Sequence, residues 1–122
     1  MPEELEVHDQ ESEVAAEVAH YRAAGGRTIV DVTPYGLGRD PARLQRFARQ
    51  RDLSVVAGTG WYRWPFQSAE VQQLSIDELT ARLVLDIVRG DERHRVKAGI
   101  IGEIGLDSRS LNVPGQGIAP IS

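Results

Sequence analysis

The 122-residue sequence contains no cysteine. Disulfides and thiolate metal sites are thereby excluded, and nothing implies an oxidising compartment. Lysine and arginine together number 14 against 18 acidic residues, for a formal net charge of −4. That balance lacks the basic footprint of a nucleic-acid binder, so no nucleic-acid partner is expected. No apolar run approaches the length of a membrane span, and the acidic opening "MPEELEVHDQ" is unlike a signal peptide. A cytoplasmic protein with no membrane partner is the expectation. Also missing are a G-x-G-x-x-G fingerprint and a P-loop. "GLGRD" and "GTG" are glycine-bearing turns, so nucleotide binding is unsupported. The three histidines, His8, His20 and His94, show neither H-x-H nor H-x-x-x-H spacing, and none ends an apolar run. They do not make a self-contained metal site.

What is present is a regular alternation. Residues 1–10 are acidic and polar and read as a flexible lead. From about Glu11 to Ala24, Val14, Val18 and Tyr21 are spaced along one helix face, and Gly25–Gly26 stops it. "RTIVDV" reads as a strand and "PYGLG" as a turn. Asp40 caps a second helix with Pro41 in its first turn, and Leu44, Phe47 and Ala48 line its buried face. "LSVVAGTG" is the next strand, followed by the loop "WYRWPFQSAEVQQ". Ser75 and Glu78 form a capping box with Leu74 and Leu79 as its hydrophobic staple. Leu79, Leu83 and Ile87 are the apolar stripe of that helix, and Gly90 ends it. "VKAGIIGEIG" is the third strand. Residues 106–122, rich in glycine, proline and serine, read as a loose tail.

Strands alternating with helices imply parallel βαβ crossovers and an α/β fold. All three strands are apolar on both faces, the pattern of a sheet covered on each side. Three parallel strands alone would leave two edges of unpaired backbone groups. The pattern is that of a slice of a larger closed sheet.

Four positions carry candidate chemistry. Glu103 ends the apolar run "AGIIGEIG", where a buried charge is costly unless a partner or a metal ion neutralises it. Functional side chains of parallel α/β folds sit at the C-terminal ends of strands. A structural carboxylate bonded to a backbone group or an arginine is the alternative. Asp31, at the end of "TIVD", could orient a ligating group from behind or simply close the strand end. Trp61 and Tyr62, with Trp64 and Phe66, crowd a strand-end loop. They suit a pocket wall, a small satellite core or a contact surface for another chain.

"AAGGRTIVDVTPYGLGRDPARLQRFARQ", "SVVAGTGWYRWPF" and "VKAGIIGEIG" together resemble consecutive segments of the phosphotriesterase family of the amidohydrolase superfamily, from about residue 13 to 105. The resemblance implies a fragment of a TIM (β/α)₈ barrel corresponding to strands two to four. It further implies two divalent metal ions, usually zinc, whose bridging hydroxide attacks a small-molecule ester, lactone or phosphotriester. A carboxyl group from the fourth strand bridges the ions. Many members supply it as a carboxylated lysine, and one branch as the glutamate of "GEIG", the position of Glu103. Two cations would make that buried charge tolerable. Tyr62, with Trp61 beside it, falls where the family lines its substrate pocket, and Asp31 falls beneath the site. Relatives are often homodimers.

The departures are equally plain. "VHDQE" does not supply the family's first-strand H-x-H. The histidines of strands five and six and the aspartate of strand eight have no counterpart, and a barrel takes about 250 residues. A truncated or partial gene product, inactive by itself and with weak or no metal binding, is the expectation. Two alternatives stand beside it. "IGEIGLD" is also similar to TatD-type metal-dependent deoxyribonucleases, and a non-catalytic α/β binding module could use "WYRWPF" as its surface.

Overall fold

The computed structural model describes residues 2–63 and 69–105; Trp64, Phe66 and the tail read at 106–122 lie outside the described residues. Helix α1 spans Pro2–Ala23, strand β1 Thr28–Asp31, helix α2 Pro41–Gln50 and strand β2 Ser54–Thr59. The short helix α3 (Ala69–Gln73), helix α4 (Ile76–Val88) and strand β3 (Ile100–Ile101) follow. The strands form one sheet in the order β1-β2-β3. Both pairings are parallel, with Thr28 opposite Ser54 and Gly58 opposite Ile100. None of the described helices is long and apolar enough to cross a membrane.

Local chemistry sets the helix boundaries. Asp40 accepts the Arg43 N–H at 3.1 Å and Pro41 occupies the first turn of α2, satisfying an otherwise orphaned donor. Ser75 does the same for the Glu78 N–H of α4. Helix α1 begins at Pro2 rather than near Glu11. No glycine or proline interrupts the chain from residue 3 to 24, so nothing breaks the helix before the glycine pair that ends it. The segment 61–73, expected as loop throughout, contains α3.

Side-chain alternation places the layers. Ile29, Asp31 and Val55 border one cavity with Val14 and Val18 of α1 and Leu44 and Phe47 of α2. Thr59, which shares the parity of Val55 along β2, meets α4. Helices α1, α2 and α4 therefore cover a single face of the sheet. The other face is not covered by the described residues. Val30 is 52% exposed, and Val32, Ile100 and Ile104 are exposed as well; Ile101, opposite Thr59 and so on the helix side, is exposed at the sheet edge. The expected two-sided cover is thus corrected. The strands are apolar on both faces, yet only the helix side is filled, with Val18, Ala42, Ala48 and Ala57 among its buried residues.

The third strand is shorter than "VKAGIIGEIG" suggests. Gly99 N–H donates to Ala57 O and Gly102 N–H to Thr59 O, as a neighbour of β2 should. The next N–H, from Glu103, instead donates to Val32 O beyond the end of β1 at 2.8 Å. The chain thus leaves the ladder and crosses β2. The crossing runs over Gly58, where a Cβ would collide with the Gly102 carbonyl, and over Gly60, where one would lie 2.8 Å from Glu103 O. Only glycine admits so close an approach of two backbones.

Asp91 fixes the link from α4 to β3. Its carboxylate accepts the N–H groups of His94 at 2.8 Å and Val96 at 2.7 Å. Desolvation opposes its ionisation, but these donors and the His94 ring outweigh it and hold Asp91 below the usual 3.8. A depressed carboxylate contributes stability above its unfolded value and loses that contribution as pH falls through its folded one. Asp91→Ala is expected to cost about 1 kcal/mol at neutral pH, the scale of a partly exposed capping carboxylate. In urea denaturation the difference from wild type should shrink as the carboxylate protonates in acid; a difference independent of pH would contradict this.

Candidate functional site

The four sequence-predicted residues all lie at or just beyond the C-terminal ends of the strands. Glu103 lies two residues beyond β3. It is exposed and borders a shallow hollow of about 430 Å³ with Val30, Val32, Pro34 and Leu37. The sequence suggested a carboxylate buried within a covered strand. The correction follows from the uncovered face: where no second layer packs, the charge keeps its water and incurs little desolvation cost. Its place is fixed by main-chain bonds to either side, from Gly102 to Thr59, from Glu103 to Val32 and from Gly105 to Trp61. The last, at 3.0 Å, sets the Glu103 segment alongside Trp61–Arg63.

Trp61 is buried and Tyr62 half-buried. Trp61 forms a parallel bridge with Tyr35, and their rings stack with centroids 5.5 Å apart. Asp31 also borders the Glu103 hollow, but its Oδ1 accepts the Thr33 N–H at 2.9 Å. That bond closes the strand end locally.

The best-connected group near these residues was absent from the sequence reading. Asp86 of α4 is only 4% exposed. Its Oδ2 accepts the Thr59 hydroxyl at 2.6 Å and the Tyr35 hydroxyl at 2.7 Å. Arg39 holds Tyr35 from the other side, its guanidinium carbon 4.8 Å from the ring centroid and its Nε donating to Gly58 O at 2.8 Å. Burial, and then the bond to Asp86, push the Tyr35 phenol above the usual 10.0, while the Arg39 charge works against the rise. The signal for Asp86 lay in α4 itself, as a carboxylate three residues after Leu83 on the inward stripe. Ile87, assigned to that stripe from spacing, is exposed.

The residues that could hold a metal do not converge. Among the described residues no three of His, Cys, Asp or Glu come together in a way that could hold an ion. His20 and His94 are exposed, the latter beside Asp91 at 3.3 Å. Glu103 offers one carboxylate, short of the three or four ligands that a zinc site needs.

Parallel strands with helices on one outer face and a carboxylate at the strand ends are the layout of part of a (β/α)₈ barrel. The comparisons bear this out. The E. coli phosphotriesterase homology protein, solved with phosphate in its active site, superposes with a TM-score of 0.75 at 28% identity, over 84% of this chain and 35% of that one. Residues 3–116 match the phosphotriesterase family, and the chain belongs to it. The phosphotriesterase-related protein of Nematostella vectensis is 38% identical over 93 residues, 76% of this chain and 27% of its own length. The N-acetyltaurine hydrolase of Rattus norvegicus is 34% identical over 103 residues, 84% of this chain and 30% of its own. The chain thus spans less than a third of these two relatives.

The raised Tyr35 value has a measurable consequence. A phenol held neutral by the fold contributes stability that is complete below its unfolded value of 10.0 and is lost as pH rises through the folded one. Wild type is therefore expected to lose thermal stability relative to Tyr35→Phe above pH 10. Melting curves that stay parallel through that range would show that the phenol is not held in this way.

Proposed function

We propose that this chain is the portion of a phosphotriesterase-family hydrolase barrel that contributes Glu103 as a metal-facing carboxylate. In this reading residues 11–105 are the barrel portion, Trp61 and Tyr62 form the substrate wall, and Asp31 supports the site from beneath. The observation that carries it is the pairing of Gly105 N–H with Trp61 O, which puts the carboxylate segment and the aromatic segment side by side at the strand ends. Functional groups of such barrels gather at that end.

The substrate is a small molecule with a hydrolysable acyl or phosphoryl bond. Esters, lactones and phosphotriesters are in scope, and the relatives named N-acetyltaurine hydrolase add the N-acetyl amide. Fold membership does not choose among them. The metals are a pair of divalent ions of the zinc type. The 122-residue chain alone is inactive in this reading, because one carboxylate cannot hold such ions against water.

A chimera tests the assignment. Residues 13–105 would replace the matching segment of the full-length rat N-acetyltaurine hydrolase. The chimera is expected to hydrolyse N-acetyltaurine, and Glu103→Gln within it should lower kcat/KM by about a hundredfold or more, with loss of bound metal. An undiminished variant would overturn the role given to Glu103. For the isolated chain, native mass spectrometry in excess zinc should show no stoichiometric metal. Two ions in a defined assembly would refute its inactivity.

A further inference from the structure

Holding an amphipathic helix on a sheet requires only apolar contact. Helix α4 does more, placing a buried carboxylate where its inner face meets the end of β2. Both hydroxyl donors, Thr59 at 2.6 Å and Tyr35 at 2.7 Å, converge on one oxygen of Asp86. Thr59 is the last residue of β2, two before Trp61. Tyr35 lies in the turn after β1 and stacks on the Trp61 ring. Asp86 therefore reaches Trp61 by two routes, along the chain through Thr59 and across the ring stack through Tyr35. Arg39 closes the back of the arrangement, its charge over the Tyr35 ring and its Nε on the Gly58 carbonyl. The main chain of residue 86 adds a third link, since its carbonyl accepts the Ala98 N–H at 2.8 Å, just ahead of the strand that leads to Glu103.

An apolar residue at position 86 would keep α4 on the sheet but leave two hydroxyls without their acceptor, one on the fully buried Thr59. The geometry points to a role beyond packing: we propose that Asp86 is a positioning residue that sets the aromatic wall of Trp61 and Tyr62 through Thr59 and Tyr35. The inference rests on the reading of Trp61 and Tyr62 as a substrate wall. Its structural half, the coupling of Asp86 to Trp61, is measurable without substrate.

The test uses the full 122-residue chain carrying Trp64→Phe, which leaves Trp61 as the single tryptophan. Acrylamide quenching and near-ultraviolet circular dichroism are recorded below the unfolding transition. Asp86→Ala should raise the Trp61 quenching constant about twofold as the strand end opens locally, and should weaken the dichroism of the Tyr35–Trp61 pair. Asp86→Asn, which retains an acceptor oxygen of the same reach, should restore most of both signals. Ala48→Gly is the control. It lowers the melting temperature through α2 and should leave Trp61 unmoved, which separates positioning from general destabilisation. Tyr35→Phe and Thr59→Val each remove one hydroxyl, and each should give part of the shift even if Asp86→Ala does not fold. Wild-type Trp61 signals in folded Asp86→Ala, or failing that in both single-hydroxyl variants, would overturn the proposal. Failure of the wall reading looks different. In the chimeric barrel, Trp61→Ala and Tyr62→Ala would then leave KM unchanged while the Asp86–Trp61 coupling persisted.

Discussion

The arrangement of the strand ends depends on one buried carboxylate. Asp86 joins helix α4 to β2 through Thr59, to the turn after β1 through Tyr35, and to the approach to β3 through its own carbonyl. Two of these bonds share a single oxygen in a site largely closed to water, where a satisfied network is strong and a broken one costly. Among the described residues the buried apolar side chains are mostly small, four of seven being alanine. A core of that kind gains little from side-chain volume, so polar bonds carry more of the task of fixing the layers relative to one another.

The uncovered sheet face follows from the same layout. With α1, α2 and α4 on one side, Val30, Val32, Ile100 and Ile104 stand against solvent on the other. In a closed barrel that face lines the interior, which the side chains of the remaining strands help to fill. The apolar character of both strand faces is therefore consistent with the family to which the chain belongs, although the described residues cover only one of them.

Much of this was legible in the sequence. The periods of α2 and α4, the caps at Asp40 and Ser75, the parallel order of the strands and the family itself all rest on local pattern or long motifs. What was not legible depends on tertiary geometry. The early start of α1 reflects an absence of breakers rather than an apolar stripe. The brevity of β3 arises because Glu103 N–H turns to Val32 instead of continuing along β2, a choice among backbone acceptors that no side-chain period records. Asp86 was overlooked for a related reason. Spacing favoured its apolar neighbour Ile87, and the stripe rule gives no credit to a carboxylate whose partners, Tyr35 and Thr59, lie 51 and 27 residues away. Glu103 was placed correctly at a strand end, but its exposure could be judged only once the sheet was found open on its side.

The crossing of Glu103 over β2 is made wholly from main-chain bonds, to Val32, Thr59 and Trp61, across glycines that supply clearance and no chemistry. Such bonds are indifferent to which side chains stand at 61, 62 or 63. The place of the acidic group is thus set apart from the stack that holds the Trp61 ring on Tyr35. A change of side chain at Tyr62 or Arg63 leaves the hinge of the crossing untouched, whereas a change at Gly58 or Gly60 would push the two backbones apart.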